Sequence, residues 1–136
     1  MRYFSPEEAN AALAEIRPLV ERLAVARRRS LGLEERLGAV RVRVLGNGGG
    51  LDPARMGDLQ SEATEAAKAV IELLEALDEL GVQVKDPDTG LIDFPAKHPG
   101  GSDVLLCWQL GEDEVAFWHT LEGGFRGRKP LPFQRR

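Results

Sequence analysis

Apolar positions in the first sixty per cent of the chain recur three and four residues apart, and in the last forty per cent they alternate or cluster in short runs. Ile16, Leu19, Leu23, Ala26, Ser30, Leu33, Leu37, Val40 and Val44 form one seam, and Met56, Leu59, Ala63, Ala66, Val70, Leu73, Leu77 and Leu80 form a second. That spacing is the heptad pattern of helices packed at a shallow angle. It predicts two long helices over residues 5–80, folded back on each other like a coiled coil. Pairing Leu23 with Leu80 gives the layers Ala26 with Leu77, Ser30 with Leu73, Leu33 with Val70, Leu37 with Ala66, Val40 with Ala63 and Val44 with Leu59, most of which set a large side chain against a small one. In this register Arg22, Arg29, Arg36 and Arg43 fall near Glu79, Glu72, Glu65 and Asp58, both rows being spaced by sevens.

Local signals set the ends. Ser5-Pro6-Glu7-Glu8 combines an N-cap, a proline suited to the first helical position and a capping box. Pro18, which lacks an N–H, is expected to kink or divide the first helix. The alternation Val40-Arg41-Val42-Arg43-Val44 competes as a strand, but seam and arginine row both run through it, which favours helix. Gly46-Asn47-Gly48-Gly49-Gly50 is the connection, with a mobile tip; Asp52-Pro53 caps the second helix and Gly81 stops it. The first helix outruns the second, so Ala9, Ala12, Leu13 and Ile16 need a cover.

Residues 82–120 supply it. Val82 to Lys85, Leu91 to Phe94, Val104 to Leu110 and Val115 to Thr120 read as strands separated by turns, which predicts a small antiparallel sheet of two hairpins. Pairing Leu110 with Val115 sets Trp108 opposite Phe117, Leu106 opposite His119 and Cys107 opposite Trp118, while the first hairpin sets Asp93 opposite Val84. A glycine- and arginine-rich basic tail occupies residues 121–136. The whole is one α+β domain of 136 residues, with the sheet at the end remote from the glycine loop. Ala67, Ile71 and Leu74 form a stripe off the main seam, to be covered by the sheet or by a second subunit.

Composition narrows the function classes. With 43% hydrophobic and 29% charged residues and no apolar run long enough to span a membrane, a soluble protein without membrane partners is expected. The opening MRYFSPEEAN has no secretory h-region and Cys107 is the single cysteine, so a cytoplasmic location is expected. The net charge of −4 hides an asymmetry: residues 1–50 carry nine Arg against six Glu, residues 51–114 four basic against fifteen acidic groups, and residues 115–136 five basic against one. The arginines invite a nucleic-acid reading, but the acidic second helix lies beside them, so complementarity within the hairpin is favoured and nucleic acid is disfavoured.

The reactive side chains concentrate between Leu91 and Arg128. Asp93 and His119 are the candidate catalytic pair, as base and orienter, against the competing and favoured reading of satisfied structural hydrogen-bonders. Trp108, Phe117 and Trp118 offer a ligand platform or, more simply, core; Arg126 and Arg128, among glycines able to form a nest, are candidates to hold an anionic small molecule. Cys107 has no neighbouring base and reads as a small buried hydrophobe. Asp93, His98, His119 and Glu122 are chemically adequate for a metal, but no spacing matches a zinc signature, so no metal is assigned. No Walker loop, nucleotide fingerprint, nucleophile elbow or paired Cys-x-x-Cys motif is present, so cofactor and catalysis are left open.

The blocks YFSPEEANAAL, GVQVKDPDTGLIDFPA and LCWQLGEDEVAFWHTLEGGFRGRKPL resemble a bacterial family grouped as domain of unknown function 2203, over almost the full length. The motif residues are Asp86, Gly90, Asp93, Phe94, Pro95, Cys107, Trp108, Gly111, Glu112, Trp118, His119, Gly127 and Arg128, with His98 outside the pattern. The resemblance implies a helical hairpin followed by a compact β region and supplies no reaction. The function expected first is therefore a self-associating structural or interaction protein, a homodimer through a helical face. A small enzyme or anionic-ligand binder built on Asp93, His119 and Arg128 is the alternative.

Overall fold

The computed structural model describes residues 2–47 and 53–133, apart from the side chains of Val44, Leu45 and Asn47. Two helices, α1 (Pro6–Asn47) and α2 (Pro53–Glu79), precede the strands β1 (Gln83–Asp86), β2 (Leu91–Lys97), β3 (Asp103–Gln109), β4 (Phe117–Thr120) and β5 (Lys129–Pro130). The expected capping box forms: the Ser5 hydroxyl accepts from the Glu8 N–H at 3.0 Å, and Glu8 Oε1 accepts from the Ser5 N–H at 2.9 Å. That reciprocal bond, first of all the Ser5 N–H, holds the Glu8 carboxyl below its usual range. Helix α1 continues through Val40–Val44 as helix, and Pro18 does not divide it. Ala14, whose carbonyl loses its donor to the proline, is exposed, so water can satisfy it. At the end of α2 the chain reverses through Gly81 at φ 90°, with the Gly81 and Val82 N–H groups bonded back to Asp78 O and Leu77 O. Asp52 and most of the glycine connection lie outside the described residues.

The helices pack antiparallel, but one heptad away from the register expected. Leu80 lines a groove with Ala11, Ala12, Glu15 and Ile16 rather than meeting Leu23, and Val25, Ala26 and Arg29 share a groove with Glu65, Ala66, Ala69 and Leu73. Leu33 and Leu37 accordingly cluster with Ala63, Ala66, Leu59 and Met56. A seam and two charge rows that all repeat every seven residues score equally well when slid by seven, so they cannot choose between these registers. The arginine and acidic rows, moreover, do not pair. Among the described residues the ion pairs are Arg27–Asp88, Lys97–Asp103, His119–Asp93 and Arg128–Glu112.

The β region is one antiparallel sheet, as expected, but a five-stranded meander in the order β1-β2-β3-β4-β5, with β5 added to the four strands of the two expected hairpins. Strand β2 runs on through Pro95 to Lys97. It can do so because the Pro95 carbonyl accepts the Phe4 N–H at 2.7 Å, so the edge on which proline has no donor points at the N-terminal segment and not at β3. Both hairpins are one residue out of the expected register: Asp93 lies opposite Gln83 rather than Val84, with an irregularity between Val84 and Asp86, and Leu105, Leu106 and Cys107 lie opposite His119, Trp118 and Phe117. Asn10 of α1 ends the pairing of the second hairpin short of Val115. Its Oδ1 accepts the Val115 N–H at 2.6 Å and its Nδ2 donates to Val115 O at 3.2 Å, so this side chain takes both backbone groups that a longer β4 would have used for pairing.

A one-residue slip reverses the face on which each side chain lies. Ile92, Phe94, Ala96, Val104, Leu106, Trp108 and Trp118 therefore share the inner face, where they form one core with Phe4, Ala9, Leu13, Ile16, Val20, Leu23, Leu73 and Leu77. This is the cover expected for the projecting start of α1. Leu74 of the accessory stripe joins that core, whereas Ile71 stays 55% exposed. Among the described residues no helix is long and apolar enough to cross a membrane.

Gly90 turns β1 into β2 at φ 71°, where an added Cβ would sit 2.5 Å from Leu110 Cδ1 and 3.0 Å from its Cβ. Gly90→Ala combines left-handed strain with overpacking and is expected to destabilise by roughly 2–4 kcal/mol, read as a lower urea midpoint at unchanged slope.

Candidate functional site

The outer face of the sheet carries the chemistry. Asp93 on β2 is opposite Cys107 on β3, and Cys107 is opposite Phe117 on β4, two residues before His119. These pairs place Asp93, Cys107 and His119 on one face, and all three are at most 2% exposed. His119 Nε2 is 3.1 Å from both Asp93 oxygens and its Nδ1 is 2.8 Å from Thr120 O. A carbonyl only accepts, so Nδ1 carries a proton, and a second proton occupies the Nε2–carboxylate bridge. The pair is neutral as a unit, as burial in apolar surroundings requires.

Cys107 completes the cluster. Its sulfur, an Asp93 oxygen and a His119 nitrogen all lie within 4.8 Å of one another. Burial, reinforced by the Asp93 carboxylate, pushes the thiol up to about 12 from 9.0. A thiol this basic is no nucleophile at neutral pH, in line with the sequence reading of a small buried hydrophobe.

The other expected site residues go elsewhere. Arg128 donates to Glu112 Oε2, and its guanidinium stands 3.9 Å above the Phe117 ring and 4.7 Å from Phe125. It is thus engaged by this chain's own groups beside the cluster. Arg126 is exposed on the short turn of 3-10 helix at Phe125–Gly127. Trp108 and Trp118 point to the opposite face from Phe117, so the three do not form a platform. Trp108 is sealed in the core with its Nε1 donating to Glu112 O at 3.1 Å, and Trp118 packs against His98, Phe133 and Lys129. His98 therefore lies on Trp118's side of the sheet, away from His119, and Glu122 is exposed, so the set Asp93, His98, His119 and Glu122 does not assemble. The residue overlooked as a partner for Asp93 and His119 is Cys107, and only the pairing of β2 with β3 could have disclosed it.

The family model described as uncharacterized conserved protein (DUF2203) matches residues 2–131, nearly the whole chain, and the protein belongs to that family. No curated protein and no solved structure matches it.

Removing one member of a buried, hydrogen-bonded pair strands the other. Asp93→Ala and His119→Ala are each expected to cost about 3–5 kcal/mol, with a double variant well short of additive in urea unfolding. Cys107 yields a second expectation. In chelator-treated native protein the thiol resists aromatic disulfide reagents at pH 8 and reacts promptly on unfolding. Because the folded thiol binds its proton more tightly than the unfolded one, its contribution to stability is complete below about pH 9 and is lost as pH rises toward 12. Alkaline melts of wild type and Cys107→Ala should therefore differ in slope over that window.

Proposed function

We propose that this member of the DUF2203 family is a self-associating scaffold whose helical hairpin pairs with that of a second copy to make a four-helix bundle. One observation carries the reading. Among the described residues, the hairpin's own cluster away from the sheet holds four buried side chains, Leu33, Leu37, Ala63 and Ala66. Two helices in contact cover one stripe each, and a hairpin of this length with so small a core gains most from a further layer.

The groove beside that core has the right chemistry for a copy of itself. Its floor is Leu37, Ala63, Ala67 and Ile71, with Gly57 at one end, and these mostly small residues admit the close approach of another helix. Its rim carries Arg41 and Lys68 together with Glu34, Glu65, Glu72 and Glu75. A two-fold axis sets the basic groups of one copy against the acidic groups of the other. No chemistry of its own is needed for such a role. The alternative of an anionic-ligand or catalytic site at Asp93, His119 and Arg128 has less support, because these residues are occupied by one another and by Glu112 and Phe117.

Light scattering on a sizing column at high micromolar concentration is expected to give the dimer mass. Ile71→Glu, which sets a charge in the middle of the groove floor, is expected to weaken association roughly thirtyfold or more while keeping the helical circular dichroism. A wild-type monomer under these conditions overturns the proposal.

A further inference from the structure

We propose that Asp93, Cys107 and His119 form a binding site for one divalent transition-metal ion, of which zinc is the best match. Three neighbouring strands each contribute one donor to the same face, and the carboxylate, sulfur and imidazole atoms are already within 4.8 Å of one another. Zinc bonds of about 2.0–2.3 Å in a tetrahedron separate donors by about 3.3–3.7 Å, so closing around the ion takes a shift of about 1.5 Å at most, within reach of side-chain rotation. Thiolate with imidazole and carboxylate is a donor set for zinc or cobalt rather than for magnesium or calcium, which prefer oxygen alone.

Two further observations fit a ligand site better than a packing accident. His119 is oriented as metal-bound histidines usually are: Nδ1 donates to the Thr120 carbonyl at 2.8 Å, which leaves Nε2 as the coordinating nitrogen. The charges also balance. Without metal the cluster holds a neutral thiol and an Asp93–His119 pair that is neutral as a unit. When the ion enters, the thiol proton and the proton of the Nε2–carboxylate bridge leave. Thiolate, carboxylate and neutral imidazole then face two positive charges, and the site stays neutral overall. A divalent ion exchanged for two protons is the exchange a sealed, apolar pocket tolerates best. Three protein donors leave one tetrahedral position for water or an incoming group.

Cobalt is the direct probe, because its bond to thiolate gives a charge-transfer band in the near ultraviolet that carboxylate and imidazole ligands do not produce. Full-length protein stripped with chelator and titrated with Co²⁺ is expected to develop that band, saturating at one ion per chain, with two protons released per ion into a dilute indicator buffer. Added Zn²⁺ is expected to bleach the band and to raise the melting temperature progressively with concentration. Cys107→Ser and Cys107→Ala are expected to lose the band, and His98→Ala, on the other side of the sheet, to keep it. Absence of the band in wild-type protein overturns the proposal whether or not the variants fold. So does cobalt binding without it, which would place the ion on exposed groups, and so does a band that survives in either Cys107 variant.

Discussion

The first three turns of α1 project beyond the end of α2, and that projection is the constraint on which the structure depends. A five-stranded sheet with an apolar inner face cannot stand alone in water, and a lone amphipathic helix end cannot either. Each is the cover for the other: Ala9, Leu13 and Ile16 meet Ile92, Phe94, Leu106 and Trp108 in one core. Hydrophobic burial of this kind is not directional, so it does not by itself fix how the strands align. Direction comes from Asn10, one helical turn into the projecting segment, whose amide holds both backbone groups of Val115. With Val115 held there, β4 starts only at Phe117.

The register of β4 on β3 decides what the outer face contains. Had Leu110 and Val115 been partners, His119 would have shared a face with Leu106 and pointed into the helix-side core. With Leu105 as its partner, it lies on the side of Cys107 and within reach of Asp93. The polar cluster is thus a consequence of the β3–β4 register. The sheet is buried on both faces along β3, where Val104 to Trp108 are all inaccessible, and this leaves Asp93 and His119 no solvent to fall back on. Their mutual bond, and the Thr120 carbonyl, are what make the outer face tolerable for a carboxylate and an imidazole.

How much of this was legible in the sequence depends on whether the signal was local. The capping box at Ser5 and Glu8, the stop at Gly81, the helical reading of Val40 to Val44 and the β region over the start of α1 were all readable, because each rests on residues near one another or on a sustained period. The helical register was not. A seven-residue repeat is unchanged by a slide of seven, and contacts outside the seam, such as Arg2 and Phe4 beside Gly81, are not encoded in it. Strand register failed for a parallel reason, since alternation tells which residues share a face within a strand but not which face meets which across a pair. Pro95 misled in its own way: a proline normally ends a strand, and only its position beyond the short β1 makes it harmless. The candidate pair Asp93 and His119 was nonetheless identified as a pair, because a carboxylate and an imidazole set among apolar strand residues have few partners other than each other.

The two ends of the molecule answer the burial problem differently, and function follows the difference. At the sheet end, helices cover one face and the tail's turn, with Arg128 stacked on Phe117 and Phe125, lies against the other. Asp93, Cys107 and His119 are held there out of solvent, with His119 fixed by the Thr120 carbonyl and by Asp93. At the hairpin end the same chain leaves a shallow apolar floor with charges of both signs around it. An ion in the sheet would tie β2, β3 and β4 together and so stiffen the platform from which α1 projects, without touching the hairpin groove. The proposed metal site and the proposed pairing of the hairpins are therefore separable, joined only through the single long helix that belongs to both ends.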